Sequence, residues 1–341
     1  MAGRERGSMQ HLRRSWRLAG APTSVVLGYS GGADSLALLA LLRDLSRLER
    51  ISLLAVHVDH ALRSESIDEA EVVRRNAESF GVPIIVERLV DNILIRHVGV
   101  GLEEAMRRER YAVLAGVARE RQAVIAVAHH RRDQAETVLL HLMRGAGLTG
   151  VAGMREVSQL TVPWWDNVPG AEITIWRPLL AVPSDVVRTV ALESGLPVVE
   201  DPSNRDEGLR RNAIRHRVLP VLEAVSPGAE ETLVRFARLA AVDADELQQQ
   251  AAEAFAIVRS GDNLARDAVL ALRPAIRGRV LRMWLVDGLP VGCEVPANRI
   301  EALVLVAERP GPVRLVQIAS GWAVEVSRER LRLVDGDDGQ R

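Results

Sequence analysis

A chain of 341 residues that is 48% hydrophobic and 26% charged is long enough for about two folded domains and too apolar to be disordered. Its formal net charge of -1 excludes a global positive field for nucleic acid, so any such binding must use local arginine clusters. The single cysteine, Cys293, excludes an internal disulfide, a four-cysteine zinc site and an iron–sulfur cluster held by this chain alone, and it fits a reducing cytoplasm.

The start, residues 1–20, is arginine-rich without a continuous apolar core, so it reads as a basic lead-in ending in a short helix rather than a secretory signal. No run approaches the roughly 18 apolar residues of a membrane helix. Val25 to Leu27 then lead into Gly28-Tyr29-Ser30-Gly31-Gly32-Ala33-Asp34-Ser35 and a leucine-rich helical stretch. That order is strand, tight glycine loop, helix. Gly31 and Gly32 allow backbone conformations and close approaches closed to other residues. The helix start beyond them presents unpaired N–H groups and a positive dipole end to an anion. The stretch therefore reads as a phosphate cradle, with Asp34 available for the magnesium that accompanies a polyphosphate.

A strand over Ile51–His60 ends in the polar cluster His57-Val58-Asp59-His60-Ala61-Leu62-Arg63. A helix over Glu65–Phe80 and a short strand over Pro83–Glu87 follow. Leu102–Arg119 reads as an amphipathic helix with Leu102, Met106, Val113 and Val117 on one face. A strand over Ala123–Ala128 runs into His129-His130-Arg131-Arg132-Asp133-Gln134-Ala135-Glu136. Alternating strands and helices predict a parallel sheet with helices on both faces, an α/β class in which ligands collect beyond the carboxyl ends of the strands. Three polar clusters sit at such ends, and one shared site explains them most simply.

Residues 145–182, rich in Gly, Pro and Trp, read as a surface excursion that carries Trp164 and Trp165 and returns to the core at Ile173–Trp176. Glu200-Asp201-Pro202-Ser203-Asn204 is a turn, and Leu209–Leu219 is arginine-rich. Past Pro220 the character changes. Helices are expected over Glu230–Ile257, Ala265–Leu285 and Arg299–Ala307, with short strands over Val313–Ile318, Trp322–Val326 and Leu331–Val334.

The absence of any lysine narrows the chemistry, because all 44 basic residues are arginine. A Walker-type phosphate loop needs G-x-x-x-x-G-K-[ST], and covalent catalysis through an enzyme lysine is excluded on the same ground. At the strand ends several readings stay open. His57 and His60 suit contact with nucleotide or RNA, a metal, or a plain polar strand terminus. Asp133 and Glu136, three apart on one helical face, suit an ammonium group, a metal, or simple capping of a helix start. Arg107, Arg108 and Arg110, then Arg205, Arg210, Arg211, Arg215 and Arg217, form guanidinium clusters suited to RNA backbone or ATP phosphates, or to a solvated face.

The glycine loop resembles the signature of the PP-loop ATP pyrophosphatases. The ordered set looks like one family among them, the tRNA(Ile)-lysidine synthases. That set comprises Ser30–Ser35, His57–Arg63, Glu103 with Arg107 and Arg110-Tyr111, and Ala128-His129 with Asp133-Gln134 and Glu136-Thr137. It continues through Arg177-Pro178-Leu179-Leu180, Glu200–Asn204, and Arg211-Asn212 with Ile214-Arg215. The resemblance implies a PP-loop (adenine nucleotide alpha hydrolase-like) ATP-binding catalytic domain over 21–219, a smaller mainly helical tRNA-binding domain over 220–334, and a mobile tail over 335–341. The chain ends before the extra C-terminal domain of longer members, so it is expected to be a short form.

The resemblance implies a cytoplasmic carbon–nitrogen ligase. ATP adenylates the C2 oxygen of the wobble cytidine in a CAU-anticodon tRNA(Ile), pyrophosphate leaves, and free L-lysine then displaces AMP to give lysidine. It assigns Ser30, Gly31, Gly32, Ala33, Asp34, Ser35 and His57 to ATP, Asp34 to Mg2+, and Asp133 and Glu136 to the lysine ammonium. Arg107, Arg110, Arg211 and Arg215 go to tRNA, with Asp34, Asp133 and Arg211 catalytic. A homodimer is compatible with the sequence. Two positions depart from the family pattern: Arg132 stands where an aspartate is usual, and Gly101 where asparagine is common. Arg132 motivates a rival reading as a tRNA- or ATP-binding homologue impaired in catalysis. A second rival, a PP-loop tRNA thiolase, conflicts with the single cysteine wherever a cluster or cysteine pair is needed.

Overall fold

β-branched and leucine-rich runs form the strands of a six-stranded sheet, and the helices between its first four strands return the chain to the same end each time. The computed structural model describes residues 2–61, 66–89, 96–166, 170–290, 293, 295–309, 311–319 and 321–335. Arg63 and the tail beyond Asp335 lie outside them. Two compact units are present, Met1–Pro163 with Pro169–Ala240, and Trp164–Val168 with Ala241–Arg341.

In the first unit, α1 (Ala2–Leu18) is longer than the short helix expected, at 17 residues. It is docked by buried Leu12 and by the Trp176 indole N–H, which donates to Ser15 Oγ at 2.8 Å. Then come β1 (Ser24–Gly28), α2 (Ala33–Glu49), β2 (Ser52–Asp59), α3 (Ser66–Ser79), β3 (Ile84–Arg88), α4 (Leu102–Glu120), β4 (Val124–Ala126) and α5 (Arg131–Met143). After these follow α6 (Leu148–Val151), β5 (Val157–Val162), β6 (Ala171–Trp176) and α7 (Ser184–Glu193). The strand order is β3-β2-β1-β4-β6-β5, parallel except for β5 against β6. The excursion expected over 145–182 is thus partly an antiparallel hairpin that adds an edge strand.

Alternation along β1 separates the two faces. Val25 and Leu27 join the core built on Leu36, Leu39 and Leu42 of α2 with Val187 and Ala191 of α7. Val26 and Gly28 point the other way, and α4 covers them: Leu114 Cδ1 lies 3.3 Å from where a Gly28 side chain would begin. The buried stripe of α4 is Ala105, Tyr111, Leu114, Ala115 and Ala118 rather than the expected one. Leu102 is exposed, and Met106 and Val113 only flank the stripe, beside Leu89. Small alanines let this helix approach the sheet, a face that hydrophobic spacing alone does not rank first.

The chain winds outward from β1 through β2 to β3, then returns to place β4 on the other side of β1. The carboxyl ends of β1 and β4 therefore border a topological switch point, the usual ligand crevice of an open parallel sheet.

The second unit holds α9 (Pro274–Gly288) and α10 (Ala297–Glu308), which pack Val280, Leu281, Leu285, Ile300 and Leu303 on a five-stranded antiparallel sheet. Its last three strands are β7 (Arg314–Ala319), β8 (Trp322–Val326) and β9 (Arg330–Asp335). The single helix expected over 265–285 is broken, with a short helix α8 (Arg266–Ala271) before it, because Pro274 opens a new helix at its first position. Among the described residues no helix is long and apolar enough to cross a membrane.

Candidate active site at the switch point

Gly31 sits at φ +87°, and a Cβ there would lie 2.7 Å from Val73 Cγ2 and 2.9 Å from Val199 Cγ2. Its carbonyl accepts the Val199 N–H at 2.9 Å. Only glycine meets both demands. Gly32 caps α2, and no side chain occupies the capping position. Ser30 Oγ and Ser35 Oγ are 3.1 Å apart, and Ser35 Oγ donates to the Gly32 carbonyl at 2.9 Å. The loop thus gathers small groups at a helix start that no side chain caps, which suits oxyanions of a polyphosphate.

Asp34, half-exposed, stands on that helix start with Oδ2 3.5 Å from Nε2 of buried His130. His130 ends the β4 loop and caps α5, and its backbone N–H donates to Asp133 Oδ2 at 2.9 Å. Burial opposes the charged imidazole, but Asp34 and Asp133 outweigh it and raise the His130 pKa above its ordinary value. The glycine loop and the histidine motif, separate in sequence, meet in this pair. His130 itself is the site residue that sequence reasoning left unassigned; the doubled histidine at a strand end was its signal.

Asp133 and Glu136 lie on one face of α5, as their spacing predicts. They do not face an open slot. Residues 210–218 form a helical turn, Arg210–Ala213, that widens into a π turn over Ile214–Val218. Arg211 and Arg215, four apart on it, bring two guanidinium groups to the two carboxylates. Arg211 donates from Nε to Glu136 Oε2 at 2.7 Å and from Nη2 to Asp133 Oδ1 at 3.0 Å. Arg215 donates from Nε to Glu136 Oε1 at 2.6 Å, and from Nη2 to Glu136 Oε2 at 3.0 Å and Asp133 Oδ1 at 3.2 Å. Glu136 is fully buried. Burial favours the neutral acid at Asp133, yet His130 and Arg211 hold its pKa below the usual carboxylate value. Burial likewise works against charge on Arg215, but its bonds to Glu136 keep that guanidinium pKa above its ordinary value.

The Glu200–Asn204 turn anchors the arginines. Asp201 Oδ1 accepts the Ser203 N–H at 3.0 Å, and buried Asn212 donates to the carbonyls of Ser203 and Asp206 at 2.8 and 2.9 Å. Gln134 braces the site in the same manner, its amide exchanging two hydrogen bonds with the Met154 backbone at 2.8 and 2.9 Å. Arg132 points elsewhere, with Nε 2.6 Å from Glu230 Oε1 on the opening turn of the helix Ala229–Val258. Successive helical residues diverge by about 100°, so the substituted guanidinium leaves the face of Asp133 and Glu136 and finds its own carboxylate.

His57, expected at the nucleotide, is buried at the end of β2 and hydrogen-bonded from Nδ1 to the Tyr29 carbonyl at 2.9 Å. It steadies the residue before the glycine loop. Burial and the Arg110 charge push His60 down to about 4. Burial also pushes His129 down to about 3; Asp133 opposes this, and Arg177, Arg211 and Arg107 add to it. Both imidazoles are neutral near pH 7, and each keeps a buried Nδ1 without a partner among the described residues. Arg107 and Arg110 lie on the exposed side of α4, Arg107 stacked at 4.9 Å on the Tyr111 ring.

Among the described residues no three His, Cys, Asp or Glu side chains gather as metal ligands. A magnesium ion carried by a polyphosphate needs only one or two protein carboxylates. Asp34, beside two serine hydroxyls at the helix start, fits that sparse demand.

A model of the PP-loop domain family matches residues 8–222. The tRNA(Ile)-lysidine synthase of Mycobacterium leprae is 36% identical over 88% of this chain and 86% of its own length. That of Streptomyces coelicolor is 37% identical over 84% of this chain and 78% of its own length. The Chromobacterium violaceum enzyme of the same name is 38% identical over 81% of this chain, and the chain spans only 60% of that relative. Among solved structures, the U34-tRNA thiolase NcsA of Methanococcus maripaludis, with its [4Fe-4S] cluster, has the same fold, at a TM-score of 0.53 and 20% identity over 69% of this chain and 78% of its own.

Proposed function

The chain belongs to the tRNA(Ile)-lysidine synthase family of PP-loop proteins, and from that premise we propose that it ligates L-lysine to C2 of the wobble cytidine of a CAU-anticodon tRNA(Ile), with ATP as the activating substrate. The C2 carbonyl oxygen attacks the α-phosphorus of ATP and pyrophosphate leaves. The lysine amine then attacks C2, the C2–O bond breaks, the amine loses a proton, and AMP leaves. The observation that carries this reading is the meeting of the glycine loop and the histidine motif at Asp34 and His130.

In this reading the loop of Ser30 to Ser35 holds the pyrophosphate oxygens, and His57 fixes the loop's entry. Asp34 would hold Mg2+, which supplies positive charge to the polyphosphate. Arg211 and Arg215, aimed by Glu136 and Asp133, face the charge that develops as AMP forms and leaves. Asp133 and Glu136 are also the acidic pair for the lysine ammonium. Because guanidinium groups already hold their oxygens, an ammonium entering there replaces a guanidinium contact. Arg107 and Arg110 extend a cationic rim toward the RNA. The Arg132–Glu230 ion pair supports the active reading over the impaired one, since it draws the substituted charge off the site.

The test is incorporation of labelled L-lysine into the CAU-anticodon tRNA(Ile) with ATP and magnesium, omitting each component in turn. Incorporation that needs all four is expected. A folded protein that binds ATP yet incorporates no lysine would overturn the proposal.

A further inference from the structure

Asn76 is out of place in the buried stripe of α3, whose neighbours there are Ala70, Val73 and Ala77, yet it is only 1% exposed. Asparagine is a poor helix former, and a buried amide costs free energy unless it is hydrogen-bonded. The side chain finds two partners, both outside its own helix.

Asn76 Nδ2 donates to the Tyr29 hydroxyl at 3.1 Å and to the Pro197 carbonyl at 2.8 Å. Those partners lie 47 and 121 residues away in sequence. Tyr29 is the residue before the glycine loop, and Pro197 belongs to the segment after α7 that walls the loop. One amide nitrogen supplies both protons, whereas a hydroxyl has one to give and a carboxylate none. Burial raises the Tyr29 pKa, against the opposing effect of the Asn76 hydrogen bond, so the phenol keeps its proton near pH 7.

Both partners bear on Gly31. Val199, two residues past Pro197, donates its N–H to the Gly31 carbonyl at 2.9 Å, and its Cγ2 is 2.9 Å from where a Gly31 Cβ would stand. Val73, three residues before Asn76 and on the same face of α3, crowds that spot too, at 2.7 Å. Residues 196–199 have no regular secondary structure of their own. Their place against the loop depends on the hydrogen bonds to Asn76 and Gly31 and on the packing of Leu196 and Val199 against the core.

We propose that Asn76 is a positioning residue for the phosphate loop, setting the spacing between the loop's entry at Tyr29 and its wall at Pro197. Being buried, it acts through Tyr29 and Val199 and not by contact with nucleotide. The inference rests on the reading of Ser30 to Ser35 as the holder of the pyrophosphate oxygens of ATP.

The experiment measures binding of ATP with magnesium, and of AMP, to the full chain, at a temperature where every variant is folded. Asn76→Leu keeps the volume and removes both hydrogen bonds. Its Kd for ATP should rise on the order of tenfold while that for AMP changes by less than about twofold, because AMP lacks the oxygens that the loop holds. Ala77→Gly, on the same helix, lowers stability without removing either hydrogen bond and should leave both Kd values as in wild type. If Asn76→Leu does not fold, Tyr29→Phe, which deletes one hydroxyl, should raise the Kd for ATP by about threefold with that for AMP again unchanged. An unchanged Kd for ATP in the folded variant overturns the inference. So does equal weakening of ATP and AMP, or equal weakening by Ala77→Gly, since either marks a general loosening of the fold. Wild-type protein that binds no ATP overturns both the inference and the reading beneath it. Wild-type protein that binds ATP yet incorporates no lysine overturns the proposed reaction alone.

Discussion

Arg215 and Glu136 form a two-pronged ion pair: Nε reaches Oε1 at 2.6 Å and Nη2 reaches Oε2 at 3.0 Å, with the carboxylate fully buried. Arg211 shares that Oε2, donating to it from Nε at 2.7 Å. A buried charge so enclosed is held by its partners, and removal of either side strands the other.

Glu136→Ala should therefore lower stability by about 3 kcal/mol, read as a fall in melting temperature, because two guanidinium groups lose their acceptor. Glu136→Gln keeps the shape and loses the charge. Its effect on lysine incorporation should divide informatively, since a raised KM for lysine marks contact with the ammonium. A lowered kcat at unchanged KM marks the aiming of Arg211 and Arg215 instead.

Asp34 is half-exposed and its carboxylate helps hold the charge on His130, so Asp34→Ala should lower the melting temperature modestly on the acid side and little at alkaline pH. Pyrophosphate release should fall by at least about 100-fold, the scale of removing one preorganised electrostatic group. Near-normal release, measured on tRNA with ATP and magnesium, would remove Asp34 from the chemistry.

Two adjacent histidines should give opposite pH signatures. The raised pKa of His130 means its proton stabilises the fold below the unfolded value of about 6.5, and that contribution is lost as pH rises through the folded value. His129 is pushed down to about 3, so the unfolded chain takes up a proton that the folded chain refuses, and stability falls as pH drops from about 6.5 toward 3. His129→Gln should flatten the acid limb of a melting-temperature profile, whereas His130→Gln should lower stability most on the acid side. Parallel profiles for the two variants would contradict this assignment.

Arg132→Asp, which installs the residue usual in the family, sets a carboxylate opposite Glu230 and should cost about 1 kcal/mol. Pairing it with Glu230→Arg should recover most of that loss in a double-mutant cycle. Lysine incorporation by Arg132→Ala should stay within a few-fold of wild type, because the side chain faces Glu230 and not Asp133.

The sequence made the strand–loop–helix at Ser24–Glu49 legible, along with the gathering of polar strand ends, because period and punctuation are local signals. The pairing of Glu136 with Arg211 and Arg215 was not legible. Ion pairs across 75 and 79 residues leave no periodic trace, and the two arginines read equally well as a surface for RNA. The edge strand Val157–Val162 was also missed, since its alternation is mild and it sits among glycines, prolines and tryptophans. The buried face of α4 was displaced for a related reason: alanines pack well but weigh little in a hydrophobic pattern.

The hydrogen bond from Val199 to Gly31 bears on the order in which the protein is made. A ribosome delivers the glycine loop early, but the residue that braces it, and whose side chain fills the space a Gly31 Cβ would need, arrives only at position 199. Arg211 and Arg215 emerge later still. The nascent first half can lay down β1 to β4 and their helices, but its phosphate loop lacks a wall until well past mid-chain. Under the proposed function, nucleotide affinity should thus appear only once the chain has reached Val199.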